Sequence, residues 1–192
     1  GSGSGAGTGT GLPGGALSQE EDSKHAMGRM LEGAVRTSTR GERGDLYEKA
    51  RTKVVEAAAT NDGYLIRQGQ CEKAIEYLDK LLKQGEDDDI AEHAQRLLCY
   101  AYYGAGICLF RERTNSGYDG AKAQFDTALK GKGLSGTTAQ TTKKFLAYCT
   151  YALGKAALKK NKYSEAKELF ESLGNPPREL MKWNDDDADY EK

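Results

Sequence analysis

Several familiar signatures are missing from this chain, and each absence excludes something. No Val/Ile-rich alternation of apolar and polar residues occurs, so the sequence offers no strand to pair. No apolar run approaches the roughly 18 residues that span a bilayer. No signal-peptide pattern stands at the start. The four cysteines (Cys71, Cys99, Cys108 and Cys149) form no Cys-x-x-Cys pair, and the spacing of Cys99 and Cys108 is wrong for one zinc. They read instead as small buried hydrophobes in helices, which predicts a reducing, intracellular and cytoplasmic setting. The two histidines, His25 and His93, stand apart. His93 follows the acidic run Glu86–Asp89 and reads as solvated. That run lacks the alternation and glycine of an acidic metal loop, and acids at a helix start need no metal to explain them. No nucleophile–base pair can be assembled. The expectation is therefore no catalytic residue, no metal, no cofactor and no enzyme.

The glycines are concentrated. Eight of the 24 lie in the first fifteen residues, where they read as a flexible linker or tail. A phosphate-cradling loop would need a Gly-Lys-Ser/Thr ending and a preceding strand, and has neither. Residues 16–44 stay polar, with Arg29, Arg36, Arg40 and Arg43 among small residues, and 27–35 reads as a short helix. The run Arg36-Thr-Ser-Thr-Arg40 has the composition of a phosphorylation site, and also of many unstructured segments. The middle of the chain is rich in alanine, leucine, lysine and glutamate. At 192 residues, 38% apolar and 30% charged, the chain can bury one core. The expected organisation is a flexible, polar N-terminal segment (1–44), a helical domain (45–178) and a short capping helix with an acidic tail (179–192).

What the chain has is a helix–turn–helix pattern. Residues 150–170 read as two amphipathic helices joined by a short turn. Two upstream segments repeat its second half, around Ala74 and Ala121, as Ala166 does in the best-formed copy. Three residues before each alanine stands Cys71, Tyr118 or Tyr163. Four after it stands Leu78, Phe125 or Phe170, and an apolar residue follows three later. Such offsets put these side chains on one helix face. The alanine permits close approach of the preceding helix. Asp89 to Glu112 and Thr137 to Lys160 read as long first helices, each about 36 Å if about 24 residues long.

These residues resemble the tetratricopeptide repeat. Leu153-Gly154, Tyr163, Ala166 and Phe170 match its Leu-Gly pair, turn tyrosine, alanine and aromatic, and Asn175-Pro176-Pro177 stands near its terminal proline. The second copy offers Tyr103-Gly104 for the pair, and the first, with Gly69, Ala74, Ile75 and Leu78, lacks it. The alanines are 47 and 45 residues apart rather than the family's 34. The resemblance implies an all-α fold, an array of about three antiparallel helical hairpins forming a TPR-like α-solenoid with long repeats. It also implies a concave groove that takes a peptide or amphipathic helix of a protein partner. The groove positions carried over are Leu98, Ala101, Ala105 and Cys108, then Tyr148, Tyr151, Lys155 and Leu158. The carboxylate clamp of chaperone-binding members has Ala59, Gly63, Tyr102, Tyr148 and Ala152 in its places, so that clamp is absent.

Charge is uneven along the chain although its net value is −1. Between 120 and 162 there are nine lysines against Asp126 alone, and between 76 and 92 seven acids against two lysines. Lys143, Lys144, Lys159 and Lys160 form a candidate basic face. Its plain reading is a solvated surface; its functional reading is an acidic partner. Lysine without arginine or aromatic platforms makes nucleic acid the weaker choice. The sequence thus points to a non-catalytic adaptor or scaffold within a larger complex. The alternatives are a self-associating structural repeat domain, or an RNA-associated assembly factor using the lysine face. At the C-terminus, 177–183 reads as a cap on the last hairpin or, alternatively, as a motif that enters a groove, and the acidic stretch 185–191 as a segment able to cover the lysines.

Overall fold

A computed structural model describes residues 19–59, 65–85 and 88–174, with side chains from residue 25 onward. The expectations for the glycine-rich start, Gly63, Glu86 and the whole stretch from Asn175 lie outside the described residues. What is described is all-helical: α1 (Gln19–Leu31), α2 (Glu42–Ala58), α3 (Gln68–Leu82), α4 (Asp89–Arg111), α5 (Asn115–Lys130), α6 (Gly136–Lys159) and α7 (Tyr163–Ser172). No described helix is long and apolar enough to cross a membrane.

Local chemistry sets the starts of the long helices. Asp88, Thr114 and Ser135 are the N-caps of α4, α5 and α6, and each side chain accepts a backbone N–H that the first turn leaves unpaired. The α4–α5 and α6–α7 turns share a device. Arg113 and Asn161 adopt positive φ, 52° and 58°, one residue before the next N-cap. Asparagine tolerates that conformation well, and arginine less so.

Asp88 does more than cap. Its carboxylate accepts from the Ala91 N–H at 2.9 Å and from Arg43 Nη2 at 2.9 Å, while Arg43 Nη1 donates to the Leu81 carbonyl at 3.1 Å. One guanidinium thus joins the end of α3 to the start of α4. This hydrogen bond from Arg43 holds the Asp88 carboxyl below its ordinary 3.8. A lowered carboxyl pKa adds stability above the unfolded-state value and loses it as pH falls through the folded one. Asp88 is solvent-exposed although Arg43 is largely covered, so the effect is small. Asp88→Asn is expected to lower the melting temperature at pH 7 and to flatten its decline between pH 5 and pH 3. Thermal unfolding across that range checks this, and an acid decline identical to wild type would contradict it.

The helices pack mainly on their neighbours in sequence: α2 on α3, α3 on α4, α4 on α5, α5 on α6 and α6 on α7. Contacts also join α2 to α4 and α4 to α6, and α1 lies on α2 and α4. The aligned residues lead inward in the first two copies. Cys71, Ala74, Leu78, Tyr118, Ala121 and Phe125 are all buried. The third copy is more open: Ala166 is buried, Phe170 is half-buried and Tyr163 is 65% exposed.

Close approach at glycine recurs. A Cβ on Gly154 would stand 2.7 Å from the Phe170 ring, and one on Gly106 would stand 2.5 Å from that of Phe125. In α4 the glycine that meets the α5 aromatic is Gly106, two residues beyond the Tyr103-Gly104 pair. Gly104 faces the Met30 side chain and Cys71 instead.

The N-terminal segment also departs from expectation. Its helix runs from 19 to 31 rather than 27 to 35, and Ala26, Met27 and Met30 belong to the core. The expected boundary at residue 45 is thus crossed by packing. Tyr47 donates its hydroxyl to the Val35 carbonyl at 2.6 Å, and burial pushes that phenol up to about 12, so it stays a neutral donor. His93 is half-buried beside the Tyr47 ring, at 6.4 Å between centroids, rather than solvated.

Candidate partner-binding surface

The eight groove positions do not lie together on one open surface. Ala101, Ala105 and Tyr148 are buried in the core, so in this structure a partner reaches none of them. Leu98 and Cys108 are half-buried. The reason lies in the surroundings of α4, which touches α1, α2, α3, α5 and α6. Little of its circumference remains for a partner. Cys108 is turned to α3, its Sγ donating to the Ile66 carbonyl at 3.2 Å.

The third copy is different, because α6 packs on α5 and α7 and only touches α4. Tyr151, Lys155 and Leu158 follow one another at helical spacing along one face. Tyr151 is half-buried, its ring meeting Phe170 edge-on at 5.8 Å. Lys155 Nζ lies 5.7 Å from the centre of the Tyr151 ring, within cation–π range. Leu158 is 44% exposed, and across the turn so is much of Tyr163. A leucine so placed gives up part of its burial energy, on the order of 1 kcal/mol.

Of the candidate basic residues, Lys159 and Lys160 follow Leu158 at the end of α6, and Lys143 and Lys144 lie about two turns before Tyr151. Lys143, Lys159 and Lys160 are exposed and Lys144 is half-buried. Elsewhere in the lysine-rich stretch, Lys122 pairs with Asp126 at 3.4 Å and Lys162 with Glu165 at 2.9 Å. The stripe therefore joins an edge-on aromatic pair, a cation within reach of a ring and an exposed leucine.

One cluster gave no sequence signal. Glu32 Oε2 accepts hydrogen bonds from the hydroxyls of Tyr100 at 3.2 Å, Ser135 at 2.9 Å and Thr138 at 3.1 Å. It ties the end of α1 to α4 and to the start of α6. With Met30 against Gly104 and Gly33 against the Tyr100 ring, α1 and the residues after it cover part of α2 and α4. Among the described residues, no three His, Cys, Asp or Glu side chains come together in a way that could hold a metal.

Comparison with protein-family models, with curated proteins and with solved structures gives no match to this chain.

Proposed function

We propose that this chain is a non-catalytic interaction module built as a TPR-like array. The helix pairs α2/α3, α4/α5 and α6/α7 are its three hairpins, and α1 is an added helix at the first end. Two recurrences support this reading. Glycine meets aromatic at Gly106–Phe125 and Gly154–Phe170, and the two short turns repeat one left-handed residue.

The binding surface is the exposed side of α6. One observation carries this: among the described residues, Tyr151, Lys155 and Leu158 form a half-open stripe along α6, with the exposed Lys159 beside Leu158 at its end. An amphipathic helix from another protein suits it, with apolar residues for Tyr151 and Leu158 and acids for the lysines. The role is that of an adaptor or scaffold placing its partner within a larger assembly.

Tyr151→Ala/Leu158→Ala is expected to weaken partner binding by at least about tenfold while the fold persists. Quantitative pull-down beside wild type, with circular dichroism on both proteins, checks this. If the double variant retains every partner, the α6 surface is not the site. Tyr148 is left intact because it is buried, and its loss would read out folding. Light scattering and a low-salt RNA gel shift separate the competing uses of the same face. A concentration-dependent dimer lost in the double variant would assign it to self-association. RNA binding lost on replacing Lys143, Lys144, Lys159 and Lys160 would assign it to nucleic acid.

A further inference from the structure

The interface of α3 and α4 holds a pair of thiols. Cys71 lies in the first turn of α3 and Cys108 in the last turns of α4. Several contacts bring them together. Cys108 Sγ donates to the carbonyl of Ile66, just ahead of α3. Cys71 Sγ stands 3.1 Å from where a Cβ on Gly104 would be. Gly104 is one helical turn before Cys108, on the same face of α4. The absent side chain at 104 makes room first for Met30 of α1, with Cys71 of α3 beside it. Both sulfurs thus belong to the same contact between α3 and α4.

We propose that Cys71 and Cys108 are an oxidation site, forming a reversible disulfide that staples α3 to α4 when the chain meets a peroxide.

The two thiols have different parts. The hydrogen bond from Cys71 and the charge of Arg111 lower the Cys108 pKa, while the same hydrogen bond and burial raise that of Cys71. Cys108 is also the one with solvent access, since Cys71 is buried. The Cys108 thiolate attacks one peroxide oxygen and the O–O bond breaks. Cys108 becomes a sulfenic acid, and the other oxygen takes a proton to leave as water or an alcohol. The Cys71 sulfur then attacks the Cys108 sulfur. The S–S bond forms, the S–O bond breaks, and the Cys71 proton leaves with the hydroxyl as water. Two electrons pass from the thiol pair to the peroxide, and an external thiol returns them by exchange. Cys99 and Cys149 are buried elsewhere, with thiols raised by burial, the latter to about 12. They lack such a partner and stay reduced.

The test uses the full chain, reduced, desalted and exposed to hydrogen peroxide without denaturant. Digestion with trypsin and chymotrypsin under non-reducing conditions separates Cys99 from Cys108, and mass spectrometry reads the linkage. The expected product joins the Cys71 and Cys108 peptides, two hydrogens lighter than their sum, and disappears with dithiothreitol. The oxidised chain should melt on the order of 10 °C higher, because the bridge closes a long loop. Cys108→Ser keeps a hydroxyl for Ile66 and should lose both effects; Cys149→Ser should keep both. Should Cys108→Ser fail to fold by circular dichroism, the linkage in wild type decides. Sulfinic acid at Cys108 without a bridge, a different cysteine pair, a bridge seen only in denaturant, or an unchanged melting temperature overturns the proposal.

Discussion

Phe125→Ala is expected to cost the fold about 3–5 kcal/mol. Its buried ring lies on α5 between two helices. It approaches Tyr103 of α4 at 6.4 Å between centroids and stacks on Phe145 of α6 at 5.8 Å. Gly106 lets α4 close over it. Truncation leaves a cavity that helices on both sides would have to fill, and the backbone yields only in part. Domains of this kind hold about 5–15 kcal/mol in all, so a fall of ~10 °C or more in melting temperature follows. Phe170 at the matching place in α7 supplies the control. It is half-buried and faces only α6 among the described residues, so Phe170→Ala should cost about 1–2 kcal/mol. Chemical denaturation of both variants checks the contrast. Equal losses would mean that α5 is not held from both sides.

Met30→Ala should remove about 2–5 kcal/mol from the docking of α1. Met30 is buried, and its thioether fills the space that Gly104 leaves. The expected outcome is local. Residues 26–33 exchange their amide hydrogens faster, and trypsin cuts at Arg36 and Arg40 sooner, before α4 to α6 open. Hydrogen exchange with limited proteolysis measures this, and unchanged protection in α1 would show that Met30 does not hold it. The variant also separates two uses of the α2–α4 face. If freeing α1 strengthens partner binding, the covered face is a second surface and α1 its occupant. If binding is unchanged, the partner belongs to α6 alone.

Helices whose signals are local were legible in the sequence. The α4 and α6 boundaries expected at 89–112 and 137–160 differ from the observed ones by single residues, because capping side chains and apolar spacing write them. The aligned alanines proved to be buried for the same reason: spacing of three and four fixes a face. What escaped were contacts between distant residues. Glu32 looks like any surface acid until Tyr100, Ser135 and Thr138 are placed around it. The groove positions read from the resemblance failed at Ala101, Ala105 and Tyr148 because burial depends on how many helices surround one, and periodicity does not report that. Gly104 and Gly106 stand about 200° apart around the α4 axis, so they meet different helices, and a match to a Leu-Gly pair does not say which helix each glycine meets.

The tie made by Glu32 has a consequence for how the chain reaches its final state. Its partners Ser135 and Thr138 lie 103 and 106 residues further on, whereas most helix contacts join neighbours. Closing a loop of that length on an unfolded chain costs ~4 kcal/mol of entropy. Closing it after the helices between have docked costs far less, so this contact forms late. During synthesis the delay is also one of time. At roughly 5–20 residues per second, Thr138 follows Glu32 by about 5–20 s, and until then α1 is without its last anchor. The helix made early thus waits for the start of α6 before its docking is complete.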